Sequence, residues 1–201
     1  MNVLEVDSLK LLLESPNQRK YCDFRDYVVL NLLIDAMLRI DEALTLRKGD
    51  VDFKTGAVTI RKEIAKSRKP RIVPITKRTQ KLLQELLRET QEFDSDYVFL
   101  SNYGERLTPN NFRQRLKKYA EKANIDPATI WPHLLRHTGA TLFLEEGGSE
   151  RHLQIILGHA DGRMTAHYTH LSDKSVKKNH EEFSALNTIV GSSSKPRKIL
   201  R

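Results

Sequence analysis

Trp131-Pro132-His133-Leu134-Leu135-Arg136-His137-Thr138-Gly139-Ala140-Thr141 begins a stretch that runs on through Leu157-Gly158-His159 to His167-Tyr168-Thr169-His170. Six of the chain's seven histidines lie within it. A helix starting near Pro132 sets His133 and Arg136 three residues apart, on one face. Proline suits a first helical turn because its missing N–H has no partner to lose there. This helix is predicted to run to about residue 146 and to stop at Gly147-Gly148. Ser149 then reads as the N-cap of a short helix over 150–157, which Gly158 ends. Asp161-Gly162 marks a turn between His159 and Tyr168. The set offers a guanidinium to hold an anion, two imidazoles to move or donate protons, and a phenol to attack. Phosphoryl transfer through a tyrosine is one chemistry that uses all four.

Outward from this stretch the chain reads as mainly α with a small antiparallel β-sheet. Asp7 looks like the cap of a helix over 8–14, stopped by Pro16. The next helix, over 23–38, is apolar nearly all round between Tyr27 and Ile34, as a buried core helix is. It delivers Arg39 to a junction where Asp41 can cap a short helix that Gly49 ends. Residues 51–74 read as strands, with Lys54-Thr55-Gly56 as one hairpin turn and a second turn over 65–69. Thr76 caps a helix over 77–90 with Leu82, Leu83, Leu86 and Leu87 on one face. A further strand is expected over 97–100. Thr108-Pro109 starts a helix to about residue 123, with Phe112, Leu116, Tyr119 and Ala120 inward. Ser172 caps a last helix to about residue 188, and a basic tail follows over 191–201.

The net charge of +8 is concentrated. Residues 47–71 hold nine Lys/Arg against three Asp/Glu, residues 113–122 hold five against one, and the tail holds four against none. The remainder of the chain is therefore acidic, and three basic segments on an acidic body suggest a surface for a polyanion such as DNA or RNA. An ordinary set of solvated faces is the competing explanation. The single cysteine, Cys22, excludes an internal disulfide and a cysteine-rich metal site. No apolar run approaches the ~18 residues of a membrane span. Nothing resembles a secretory leader, so a cytoplasmic protein is expected.

His133-x-x-Arg136, Leu157-Gly158-His159 and Tyr168 resemble the C-terminal boxes of the tyrosine recombinases, the phage integrase family. At ordinary residue frequencies these four residues at these offsets arise by chance about once per million starting positions, so the spacing is far more specific than one short motif. The family also has an upstream arginine followed by a glutamate at a helix start, which Arg39 and Glu42 match. It departs from this chain at two places nearby. Met37 stands where the family usually has Gly, and Asp41 where it usually has Ser or Gly. The family's β-hairpin lysine corresponds to Lys66, although Ala65 and Ser67 replace the usual glycines and Lys62, Arg68 and Lys69 are rival cations.

The resemblance implies a catalytic domain over 1–190, with no N-terminal DNA-gripping domain visible, so a fragment is expected. It implies a 3′-phosphotyrosyl intermediate formed by Tyr168 without metal, cofactor or ATP. Arg39, Arg136 and His159 stabilise charge on the phosphate. His133 accepts the phenolic proton and Lys66 protonates the departing 5′ oxygen. Glu42 and His170 support the site from beside it. Arg68, Lys69, Arg71, Arg113, Arg115, Lys117 and Lys118 are candidates for DNA contact. Double-stranded DNA is the expected partner, gripped by four protomers joined through the C-terminal helix, with docking on its own subunit as the alternative. Integration of a mobile element is the favoured reaction. Xer-like chromosome-dimer resolution, a type IB topoisomerase and a DNA-binding module without catalysis are the alternatives. A histidine metal cluster is the rival reading of 133–170, but a well-spaced cysteine or carboxylate set is lacking.

Overall fold

The helix over Tyr21–Asp35 organises everything around it, because its apolar residues fall on every side and leave no face for water. All its residues except Cys22 and Asp23 are buried. In a computed structural model the described residues are 3–65, 68–158, 177 and 180–190. They form α1 (Val6–Glu14), α2 (Tyr21–Asp35), α3 (Ile40–Leu44), β1 (Val51–Asp52), β2 (Ala57–Ile60), β3 (Arg71–Pro74), α4 (Lys77–Glu89), α5 (Pro109–Lys122), α6 (Pro132–Glu145), α7 (Glu150–Leu157) and α8 (Ala185–Val190). The architecture is thus mainly α with one three-stranded antiparallel sheet, in the order β1-β2-β3. Helices α4, α6 and α8 pack against α2, and α7 packs against β3. No described helix is long and apolar enough to cross a membrane.

Acidic residues inside α2 are held by partners from distant elements, as buried charges must be. Asp35 accepts hydrogen bonds from the Thr76 backbone N–H at 2.9 Å and from the Ser184 hydroxyl at 2.5 Å. Asp26 is paired with Arg25 and with Arg115 of α5. Gly139 sets how closely α6 approaches α2: a Cβ there would lie 2.5 Å from the Ile34 carbonyl oxygen. The close helix crossing therefore requires glycine.

Short-range signals place four helix ends. Thr76 and Thr108 accept hydrogen bonds from the backbone N–H groups of Thr79 and Asn111. Pro132 occupies the first turn of α6. Gly158 ends α7 in the left-handed conformation, with φ +64°.

Other ends differ from expectation. Asp7 lies inside the first turn of α1, 3.0 Å from Lys10, and does not cap it. Helix α2 stops at Asp35, short of residue 38, because Met37 turns left-handed at φ +50°. Asp41 does not cap α3; Arg39 holds that position, since Glu42 reaches back to its backbone N–H. Ser149 occupies the N-cap of α7 but makes no capping hydrogen bond. Residues 97–100 form no strand, only isolated bridges from Tyr97 to Arg47 and from Leu100 to Arg106. Their neighbours are loops, which offer too short an extended backbone for a ladder.

The sheet follows its alternation. Val58 pairs with Val73, Thr59 with Ile72 and Ile60 with Arg71. Asp52 closes the first hairpin by accepting from the Lys54 and Thr55 backbones. Near the C-terminus residues 180–183 are helical, Ser184 interrupts, and α8 follows. Ala185 and Leu186 are buried, and α8 packs on α1 and α2 of the same chain. The expected cap, Ser172, and the tail 191–201 lie outside the described residues.

Candidate active site

The abrupt end of α2 creates the site. Met37 is fully buried in a left-handed conformation that side chains other than glycine rarely adopt, so surrounding packing must hold it there. This turn is what departs in sequence from the resembling family, yet a non-glycine residue adopts the glycine-like backbone. It sends Arg39 into extended geometry at the head of α3. Glu42, one helical turn on, accepts from the Arg39 backbone N–H at 3.0 Å and from its Nη1 at 3.1 Å. The Arg39 side chain keeps 21% of its surface open to solvent, whereas that of Glu42 keeps 1%.

Helix α6 brings the second guanidinium to the same place. Arg136 is buried; its Nη1 donates to the Met37 carbonyl, and its Nη2 donates to the Leu157 carbonyl at 2.8 Å. That Nη1 lies 4.0 Å from Glu42 Oε2. The Met37 turn, the end of α7 and α6 are thus tied through one side chain. Burial, reinforced by the Arg39 charge, pulls the Arg136 guanidinium down to about 10, which still leaves it charged at neutral pH. His133 lies one turn earlier, on the side-chain row that the sequence assigns to it. Partial burial and the neighbouring Arg136 charge hold its imidazole below its usual range. It is therefore neutral at pH 7 and able to accept a proton.

A third guanidinium, from β3, completes the cluster. Arg71 was expected to contact DNA, but the structure buries it. Its Nη1 and Nη2 donate to the two Glu42 carboxylate oxygens at 3.0 and 2.7 Å, and its Nε donates to the Ile156 carbonyl at 3.1 Å. The reason is strand parity: Arg71 shares a face with buried Val73, while Ile72 between them is 50% exposed. That inverted pattern, with the charge inward and the isoleucine outward, was the available sequence signal. Burial alone would raise the Glu42 pKa, but the Arg71 fork and the Arg39 backbone hold it below the ordinary carboxylate range. Among the described residues, three guanidiniums against one carboxylate leave the cluster with two surplus positive charges. Such a surplus, partly withdrawn from water, is suited to hold an anion.

The basic helix face divides in the same way. Arg113, Lys117 and Lys118 are exposed on α5. Arg115, also expected on DNA, turns inward instead. It pairs with Asp23 at 2.5 Å and with Asp26, and donates to the Tyr119 hydroxyl at 2.7 Å. Arg68 and Lys69 are exposed in the β2–β3 connection. Lys66, His159, Tyr168 and His170 lie outside the described residues. The structure thus brings together Arg39, Glu42, His133 and Arg136 of the expected set, and adds Arg71.

Comparison with known proteins adds independent information. The family model described as the phage integrase family matches residues 2–175. Tyrosine recombinase XerC of Chlamydia caviae is 34% identical over 180 residues, covering 88% of this chain and 56% of that protein. Tyrosine recombinase XerD of Listeria innocua is 33% identical over 187 residues, covering 90% of this chain and 62% of that protein. The chain therefore spans little more than half the length of these relatives. Among solved structures, the XerA recombinase superposes with a TM-score of 0.70 at 33% identity, over 89% of this chain and 64% of that one. The XerH recombinase bound to its difH substrate shares the fold, with a TM-score of 0.68 at 24% identity over 85% of this chain and 51% of that one.

Proposed function

The chain belongs to the phage integrase family, and we propose that residues 1–190 are the catalytic domain of a metal- and ATP-independent tyrosine recombinase. In this reading Tyr168 attacks a DNA phosphorus and forms a 3′-phosphotyrosyl bond as the bond to the 5′ oxygen breaks. His133 takes the phenolic proton and Lys66 gives one to the departing oxygen. The 5′ hydroxyl of a second strand then attacks the phosphotyrosine, returns the phenol and leaves the phosphodiester count unchanged. Arg39, Arg136 and His159 stabilise the charge that grows on the non-bridging oxygens.

The observation that carries this reading is the charge-surplus cluster of Arg39 and Arg136 around Glu42, with neutral His133 one turn away. Planar guanidiniums donate in pairs to phosphate oxygens and keep their protons. Double-stranded DNA is the substrate, and the relative XerH, whose structure holds a difH substrate, supports that choice. Exposed Arg68, Lys69, Arg113, Lys117 and Lys118 contact its backbone. Four protomers, joined through the C-terminal helix, exchange strands in pairs through a Holliday junction. The packing of α8 on α1 and α2 of its own chain supports the alternative, in which this helix docks on its own subunit.

Integration of a mobile element and resolution of chromosome dimers share these residues and differ in the sites joined. The Xer relatives at 33–34% identity favour the second as an alternative to integration. Strand transfer between two labelled duplexes tests the proposal. Exchange between two sites supports a recombinase; relaxation of one supercoiled duplex without exchange contradicts it in favour of a topoisomerase. Cleavage that disappears in EDTA contradicts the metal-free chemistry.

A further inference from the structure

Beyond the residues that meet DNA, we infer that Arg71 is a positioning residue that sets the Arg39–Glu42 unit and the end of α7 in register, an inference that rests on the recombinase reading. Both of its Nη groups are committed to Glu42 and its Nε to the Ile156 carbonyl. Glu42 in turn fixes Arg39 through both its backbone and its guanidinium. On the other side, Gly158 lies directly against the Arg71 guanidinium: a Cβ at position 158 would sit 2.8 Å from Arg71 Cδ and Nε. His159 follows Gly158 in sequence. One buried side chain therefore joins α3, β3 and the terminus of α7.

Lysine cannot replace it, because a single ammonium group cannot span two carboxylate oxygens and a carbonyl in the fork geometry of a guanidinium. With its donors directed at Glu42 and the Ile156 carbonyl, Arg71 acts through Arg39. Among the described residues, the charged groups that face Glu42 are Arg39 at the head of its own helix, Arg71 on β3 and Arg136 on α6.

The test uses the 201-residue chain and a nicked duplex that traps the covalent adduct. Single-turnover cleavage is measured for the wild type and for Arg71→Lys at saturating DNA. One substrate carries the ordinary phosphate, and a second carries a neutral methylphosphonate at the scissile position. Arg71→Lys is expected to cleave the ordinary phosphate about 10- to 100-fold more slowly, as loss of an outer supporting partner does. On the neutral substrate, where misplaced guanidiniums have less charge to stabilise, the defect shrinks several-fold. An equal defect on both substrates assigns Arg71 to folding alone and overturns the inference, as does no defect at all. Where Arg71→Lys fails to unfold cooperatively, Gly158→Ala displaces the same guanidinium and is judged by the same pair of substrates. Failure of the wild type to form an adduct overturns the recombinase reading and this inference with it. A wild-type adduct together with an equal or absent defect overturns the inference alone.

Discussion

Glu42→Ala removes the anion around which three guanidiniums are gathered. The Arg71 side chain, 4% exposed, is left with its charge buried and its two strongest hydrogen bonds gone. The Arg39 backbone N–H also loses its acceptor. Breaking a buried ion pair from one side costs about 3–5 kcal/mol, because the remaining charge stays desolvated. For a domain of this size each kcal/mol lowers Tm by about 2–4 °C, so a fall of roughly 6–20 °C is expected. Thermal unfolding followed by circular dichroism at pH 7 reads it. The control is Asp41→Ala, one residue away and exposed, which should change stability by no more than about 0.5 kcal/mol. The double variant Glu42→Leu with Arg71→Met should lose less than the sum of its parts, since no buried charge is orphaned between them. The acid limb follows from the same group. The folded pKa of Glu42 is lowered from the ordinary 4.5, so its contribution is complete above that value and is lost as pH falls through the lower folded value. A Glu42→Ala protein that melts within ~2 °C of Asp41→Ala would refute the claim that this carboxylate anchors the cluster.

Other perturbations separate the roles of neighbouring residues. Because His133 is held below 6.5, cleavage should stay on its plateau at pH 7 and decline only as pH falls through that lowered value; a pH–rate profile with its acid midpoint at or above 6.5 contradicts the assignment of His133 as proton acceptor. Met37→Ile keeps the volume but puts a β-branched residue at φ +50°, and urea unfolding should show a loss of at least about 1–2 kcal/mol. Arg115→Ala should lower stability while Lys117→Ala does not; Lys117→Ala should instead weaken DNA binding uniformly and reduce the salt slope by about 1, as loss of one phosphate contact does.

Signals of short range were legible in the sequence. Proline at 132, threonines at 76 and 108, and glycine at 158 each act within one turn, and the structure uses all four as expected. The apolar run in α2 announced its burial for the same reason, since no amphipathic face exists to turn outward. What was not legible depends on partners far away in sequence. Glu42 was expected to support the site, but its reach back to the Arg39 backbone displaced Asp41 as the cap. Arg71 and Arg115 were read as surface cations because charge counts along the chain do not say which face a residue takes. Arg71 lies 29 positions from Glu42, and Arg115 lies 89 from Asp26. The segment 97–100 has strand composition but finds only loops beside it.

The nucleophile is the most direct place to strike. The chain is incubated with a nicked duplex in EDTA, the covalent complex is digested, and the peptide that carries the nucleotide is sequenced by mass spectrometry. The expected result is a 3′-linked nucleotide on Tyr168, absent from Tyr168→Phe. An adduct on any other residue, an adduct that persists in Tyr168→Phe, or the absence of any adduct in the unsubstituted chain would contradict it.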